Sequence, residues 1–380
     1  MVWGNLGRIA AMAVLLLGLP LAGVHLAGKP LAPYLEFPPR PQLAAHAPFS
    51  WVAFSLLAGV ILLCVGPFCR RLLVALARSG SGRSPHSFPW WGWAGLLWTG
   101  LAWIVSWNRF EWMGTWQAQT FTPLWLGYIL LVNAWTEARN GSCVMRKRPR
   151  YFLLLFPLSA GFWWFFEYLN GFVQNWHYPP VWEFTAWEYF WFATVPFSTV
   201  LPAVRSTTEW LSTWPGLEAA FRRLWRWDWV NHPAIGWIGL ATAVPGLAGI
   251  GLWPDYLFPL VWMAPVVLLT SLALIRGEAT LLTRLRFGDW RPVCLPALAA
   301  LVCGFFWELW NVKSLAHWEY TIPYVQCCRL FEMPILGYAG YLPFGLECAV
   351  VAGLIDGDQS GMMGAQGRDA AQRKPRVAER

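Results

Sequence analysis

Glu167 and Asn170 stand three residues apart near the end of a long apolar run, in residues 165–178 (FFEYLNGFVQNWHY). Glu308 and Asn311 repeat the arrangement 141 residues later, in residues 306–320 (FWELWNVKSLAHWEY). A Trp-x-Tyr follows each pair, Trp176 and Tyr178 in the first copy and Trp318 and Tyr320 in the second. Further on, Trp187-Glu188 answers to Phe331-Glu332, and Leu201-Pro202 to Leu342-Pro343. A carboxyl and an amide at i and i+3 share one helix face, so each pair can act on one ligand or lock together. Burial favours the neutral form of a carboxylic acid, and a positioned acid can protonate a reacting group. Around the two acids lie Trp163, Trp164, Trp307 and Trp310, whose π-faces can stabilise a cation.

The elements that must hold these residues are membrane helices. The chain has 57% hydrophobic and 13% charged residues, outside the soluble globular range. Apolar runs with basic or turn-forming ends predict ten spans, at 8–27, 50–68, 89–106, 121–138, 151–173, 188–204, 235–252, 257–275, 294–311 and 333–354. With the N-terminus inside, all but five of the 28 Lys and Arg fall on the cytoplasmic side, Arg8, Arg83 and the tail included. The exceptions are Lys29, Arg40, Arg109, Lys313 and Arg329. The net charge of +8 thus reports topology and an attraction to anionic headgroups; it is not a nucleic-acid footprint. The first apolar segment has two readings: a signal peptide, since one Arg precedes a short apolar run ending in small residues, and a retained helix. The second is favoured because no clean small-x-small cleavage site follows. This predicts a multi-pass protein of a bacterial-type inner (plasma) membrane with both termini cytoplasmic.

The duplication extends backwards from the motifs. PWWGWAGL at Pro89 resembles HPAIGWIGL at His232, and FTPLWLGYILLVNAW at Phe121 resembles LFPLVWMAPVVLLTSL at Leu257. The predicted class is therefore an all-α polytopic membrane protein, two leading helices followed by two four-helix repeats. Its segments are 1–88 with the two leading helices, repeats at 89–204 and 235–354, a basic linker at 205–234, and a disordered cytoplasmic tail at 355–380. An even number of spans gives the copies the same orientation, as in parallel repeats about an axis along the membrane normal. Glu167, Asn170, Glu308 and Asn311 then lie at the outer ends of their helices, Glu188 and Glu332 begin the returning helices, and both Trp-x-Tyr loops lie outside.

Trp176, Tyr178, Trp318 and Tyr320 also suit interfacial anchoring, where Trp and Tyr are enriched. Glu347 lies deeper, within the last span, where it can line the same cavity or pair with a neighbour. Asn133 and Glu137 lie near Arg139, which suggests charge pairing. Six of the eight Cys fall in spans or on the cytoplasmic side, and the adjacent Cys327 and Cys328 make a poor zinc pattern, so neither a disulfide framework nor a metal is expected. The six His show no ligand spacing, and no phosphate loop, dinucleotide fingerprint, nucleophile elbow or zincin helix occurs. No cofactor is expected.

The order of acidic residue at a helix end, Trp-x-aromatic with Pro and Tyr, then acid beside Pro resembles the membrane-integral lycopene cyclase domain of carotenoid synthesis. The second copy carries Trp307-Glu308, Trp318-Glu319-Tyr320 with Pro323-Tyr324, and Phe331-Glu332-Met333-Pro334; the first carries Phe166-Glu167, Trp176-His177-Tyr178 with Pro179, and Trp187-Glu188. The similarity covers about two spans per repeat, and Glu stands where that family has Asp. It implies an enzyme acting on an isoprenoid, carotenoid or other membrane lipid by carboxyl acid/base chemistry, a cyclase or isomerase. Glu167 and Glu308 are then the acids with Glu188 and Glu332 as partners, and Asn170, Asn311, Trp176, Tyr178, Trp318, Tyr320, Trp164 and Trp307 line the substrate. A proton- or cation-coupled transporter, with a polar path through Glu347 and Asn133, and a non-catalytic scaffold, with fully paired glutamates, are the alternatives.

Overall fold

The chain is described over residues 2–40, 43–78, 86–179 and 184–356 by a computed structural model. Arg83, the side chain of Arg8 and the basic tail from 357 lie outside the described residues. The fold is all-α. Its helices are α1 (Val2–Leu26), α2 (Trp51–Arg78), α3 (Trp90–Trp107), α4 (Phe121–Asn140), α5 (Val144–Lys147), α6 (Pro149–Val173) and α7 (Ala186–Phe197). There follow α8 (Val200–Ser212), α9 (Pro215–Arg222), α10 (Pro233–Leu252), α11 (Pro254–Leu257), α12 (Leu260–Ile275), α13 (Arg291–Asn311) and α14 (Tyr341–Leu354). Two minimal antiparallel ladders join loops: β1 (Trp176–His177) with β2 (Glu319–Tyr320), and β3 (Arg329–Leu330) with β4 (Met333–Pro334).

Each apolar segment of the sequence falls on a helix or a helix pair, and five helices are long and apolar enough to cross a membrane: Trp51–Ala77, Pro149–Val173, Pro233–Leu252, Arg291–Asn311 and Ile335–Leu354. The others fall short for physical reasons. Helix α3 reads WWGWAGLLWTGLAWIVSW, and α4 ends in the polar stretch NAWTEARN. The segment at 188–204 is not one helix. It breaks between α7 and α8, where Pro196 and the following turn interrupt the backbone ladder. Ser159 of α6 repairs the break, its hydroxyl donating to Phe197 O at 2.6 Å and accepting from Leu201 N at 3.0 Å. Without that hydroxyl the broken ends would carry unpaired polar groups in an apolar setting, at a cost of several kcal/mol each in hydrocarbon.

The core is built by helices that cross between the two halves of the chain. Helix α3 packs on α4, and α10 packs on α12. Trp125 of α4 meets Trp307 and Trp310 of α13, with ring centroids 4.9 and 5.1 Å apart. Reciprocally, Trp262 of α12 stacks on Phe166 of α6 at 5.0 Å. The second helix of each half therefore rests on the glutamate-bearing helix of the other. Helix α1 lies against α10 where Gly23 and Gly251 let the backbones touch. Helix α2 stands to one side, with none of its most apolar window buried. It packs on α9, and its entry is tied by Ser50 N donating to Tyr324 O at 2.9 Å.

Candidate functional site

The two motifs build the same local structure. Helix α6 ends when Gln174 turns left-handed at φ 50°, its N–H donating to Asn170 O. The Asn170 side chain then grips the returning loop: Nδ2 donates to Trp176 O at 2.8 Å, and Oδ1 accepts from Asn175 N at 2.8 Å and Trp176 N at 3.3 Å. Asn311 does the same to its own loop, with Nδ2 donating to Trp318 O at 2.7 Å and Oδ1 accepting from Trp318 N at 2.9 Å. An amide suits this task because it supplies donor and acceptor together. Each loop is thereby folded back over its glutamate.

The loops then pair with each other. Trp176 stands opposite Tyr320 and His177 opposite Glu319 in the β1–β2 ladder. Thr321 N extends the connection by donating to Asn175 O at 2.8 Å, and Thr321 Oγ1 donates to Gln174 O at 2.9 Å. Residues some 140 positions apart in sequence are thus directly hydrogen-bonded at one end of the bundle.

Beneath the ladder, both glutamates are completely buried. Glu167 Oε1 accepts from Tyr178 OH at 2.6 Å, Trp163 Nε1 at 2.9 Å and Trp176 Nε1 at 3.1 Å. Glu308 Oε1 accepts from Tyr320 OH and Tyr341 OH, both at 2.7 Å, while Trp318 Nε1 donates to Tyr320 OH at 2.7 Å. In both residues Oε2 is buried with no partner, and none of the bonded partners is cationic. Burial pushes the phenols of Tyr178 and Tyr320 well above their ordinary range, and the adjoining carboxyls add to the shift. These hydroxyls therefore remain donors.

One cavity of about 720 Å³ lies against these groups, and its walls are almost entirely apolar. Trp163, Trp176 and Tyr178 line it from the first half, and Trp318, Tyr320 and Tyr341 from the second. The donors of both glutamates therefore form its wall, with each carboxyl one layer behind. Trp163 and Trp307, the latter also a lining residue, approach to 6.5 Å between ring centroids and close the space between the two acids. Leu57, Ile61 and Cys64 of α2 supply the wall on the lightly packed side.

Several residues singled out in the sequence take no part in the hydrogen bonds of this cluster. Glu188 closes a capping box on α7, its carboxylate accepting from Thr185 N at 2.9 Å while Thr185 Oγ1 accepts from Glu188 N, and it is exposed. Glu332 is half-buried, 3.7 Å from Arg329 Nη1. Trp164 does not line the cavity; it donates to Thr194 Oγ1 at 2.9 Å and stacks on Phe190. Glu347 is buried with both oxygens unpartnered and lies outside the lining. Asn133 donates to Ser206 Oγ at 2.8 Å, and no hydrogen bond among the described residues links it or Glu347 to the two motif glutamates. Glu137 pairs with Arg146 at 2.5 Å rather than with Arg139, which donates to Thr213 and lies over the Trp214 ring. Among the described residues no group of three metal-ligating side chains occurs.

Tyr341 was not evident as a site residue from the sequence. Its signal was the preserved Leu-Pro that follows it: Tyr341 precedes Leu342-Pro343, where Val200 precedes Leu201-Pro202. Gly304 makes room for it, since a Cβ there would stand 2.5 Å from the Tyr341 ring. The position equivalent to Gly304, four residues before the glutamate, is Trp163. No protein-family model, curated protein or solved structure matches this chain.

Proposed function

We propose that this protein is a membrane enzyme that takes an isoprenoid or similar lipid into the central cavity and acts on it with Glu167 and Glu308. In this reading the chain crosses the bilayer ten times, with two leading helices, two parallel four-helix repeats and both termini cytoplasmic. The distribution of Lys and Arg supports that topology. The reciprocal seating of α4 on α13 and α12 on α6 supports the duplication.

The observation that carries the functional reading is the pair of buried carboxyls behind one apolar cavity, each with every donor on one oxygen and none on the other. That is the arrangement of a neutral acid whose Oε2 holds the proton and whose Oε1 is ready to receive charge. Transfer of the proton to a C=C bond forms a C–H bond and leaves a carbocation on the lipid and a carboxylate on the protein. The donors that stay on Oε1 stabilise that carboxylate, and the lining indoles face the cation. Ring closure or double-bond migration followed by proton loss to the carboxylate restores the acid. One phenol of each set must swing aside for the acid to meet the chain, which leaves Glu167 its two indole donors and Glu308 one phenol. The sequence similarity to the lycopene cyclase domain agrees with this chemistry.

The test is to express Glu308→Gln and Glu167→Gln in cells that accumulate an acyclic polyene such as lycopene, and to profile their lipids and pigments. The isosteric amide keeps the packing and removes the transferable proton, so product should fall at least about 100-fold while folded protein persists. Unchanged profiles in both variants would sink the proposal.

A further inference from the structure

The cavity beside the two glutamates is long and has two unlike ends. Its wall on α2 runs from Leu57 through Ile61, Cys64 and Phe68 to Leu72, residues spaced by steps of three and four that share one helix face. At a rise of about 1.5 Å per residue, that stripe extends about 22 Å. Helix α13 gives nearly the same measure, since its lining from Val293 to Trp307 covers about 21 Å. The space is a slot.

The bundle fixes which end is which. Ser50, just before α2, donates to Tyr324 O in the loop that follows Tyr320, and Glu308 lies near the C-terminal end of α13. Leu57 and Trp307 therefore mark the acid end, and Leu72 and Val293 the far end. There the Phe68 ring lies 5.2 Å from Trp290, and Trp290 N donates to Phe221 O at 2.8 Å; all three residues line the slot. Helices α2, α9 and α13 thus converge at its far end.

That end is basic. Arg71 stands three residues beyond Phe68 and seven beyond Cys64, so it lies on the lining face of α2 where the slot ends. Arg222 directly follows Phe221. Both arginines are exposed, neither belongs to the apolar lining, and neither has an ion pair among the described residues. Arg291, beside Trp290, is already committed to Asp289 at 2.8 Å and Glu218 at 2.7 Å. The acids at this end are thus used by Arg291, and the charges of Arg71 and Arg222 are left to something outside the fold.

On ordinary C–C bond geometry, an extended chain of about sixteen carbons, the main chain of about four isoprene units, spans roughly 20 Å. We infer that the lipid taken into this slot is a linear prenyl phosphate of that length, with its terminal double bonds at Glu167 and Glu308 and its phosphate at Arg71 and Arg222. A phosphate monoester carries nearly two negative charges, which two guanidinium groups answer with paired N–H donors. A prenyl alcohol or hydrocarbon answers neither arginine. The C–O bond to phosphate then lies a slot's length from the acids, so the product keeps its phosphate. The inference rests on the cavity being a lipid site, and it adds the head group, the chain length and the orientation.

Full-length protein in phosphatidylcholine nanodiscs, titrated with tritiated geranylgeranyl monophosphate and with tritiated geranylgeraniol, reports binding after subtraction of empty nanodiscs. The phosphate should bind at least about tenfold more tightly than the alcohol, the worth of one charge-assisted hydrogen bond. Rising salt should shrink the difference. Arg71→Gln and Arg222→Gln should each lose most of that preference and keep the affinity for the alcohol. Arg70→Gln should keep the preference whole, because Arg70 stands seven residues after the exposed Leu63, on the opposite face of α2. Farnesyl monophosphate, one isoprene unit shorter, should bind less tightly than the geranylgeranyl compound. Equal affinities for phosphate and alcohol, a preference that survives Arg71→Gln or Arg222→Gln, or an equal loss in Arg70→Gln would each overturn the inference. Unchanged lipid profiles in Glu167→Gln and Glu308→Gln with the phosphate preference intact would remove the acid chemistry and keep the prenyl phosphate site. Loss of product in those variants without any phosphate preference would remove the head group and leave the acid chemistry standing.

Discussion

The Glu167 half and the Glu308 half use different residues to satisfy the same carboxyl oxygen. In the first, a helix residue four positions upstream, Trp163, reaches forward to Glu167, and the facing position is Val200. In the second the upstream position is Gly304, and the vacated space holds Tyr341, whose hydroxyl reaches Glu308 from the opposite helix. The loop tryptophans differ as well. Trp176 binds its glutamate directly, whereas Trp318 binds Tyr320, which in turn binds the glutamate. What both halves keep is therefore the occupied oxygen, the free oxygen and the Tyr-to-Glu bond; the remaining donors are exchangeable. That pattern suggests a constraint on the acid itself more than on its scaffold.

The largest effect should come from forcing one half toward the other. Gly304→Trp alone drives an indole into the Tyr341 ring and should destabilise the protein by about 3 kcal/mol or more, through overpacking and the lost bond to Glu308. Adding Tyr341→Val should recover more than half of that loss, because it recreates the first half's pairing of large and small residues. Thermal unfolding in detergent measures the coupling; strictly additive losses would break the equivalence of the two arrangements.

A smaller effect separates the asparagines. Asn170 makes three loop bonds and Asn311 two. Replacement by Ala should cost about 2–3 kcal/mol at Asn170 and about 1 kcal/mol less at Asn311. Limited proteolysis of the loops should show the same order, and a reversal would mean that the ladder, not the asparagine, holds the first loop.

The smallest effect is one of pH. Burial lowers the affinity of His177 for protons below the ordinary value of 6.5, against the opposing pull of Glu319, whose carboxylate lies 3.6 Å away. The unfolded chain then binds the proton more readily than the folded one, so stability is present at higher pH and is lost as pH falls below about 6.5. His177→Gln should flatten the unfolding temperature between pH 7 and pH 5.5. A parent protein that grows more stable on acidification would reverse the sign and point to the Glu319 pair as dominant.

Much of this frame is legible in the residues themselves. The Glu-x-x-Asn spacing with Trp-x-Tyr marks both half-sites because local geometry dictates it: a helix end, an amide that can fold the loop back, and a phenol two residues on. The role of Asn170 and Asn311 is only half legible, since spacing admits either a shared ligand or a lock and the loop bonds are those of a lock. Glu188 carried a readable signal that pointed away from the site. Thr185-x-x-Glu188 is the capping-box pattern at the start of a helix, and Glu332 likewise stands three residues from Arg329. Tyr341, Gly304 and the β1–β2 ladder were not legible, because each depends on residues from different helices meeting in space. The break between α7 and α8 escapes a hydropathy reading for a related reason: apolarity is continuous through Pro196, and only the Ser159 hydroxyl from another helix reveals that the backbone is interrupted.

The pairing of Trp176 with Tyr320 sets a clock on biogenesis. A chain synthesised from its N-terminus at about 5–20 residues per second leaves the first loop without its partner strand for roughly 7 to 30 s. During that interval Glu167 has its own donors but no cover from the second loop. A membrane insertion factor or chaperone that recognises unfinished helical bundles would find this half exposed, and truncation anywhere before Glu319 would leave it so permanently.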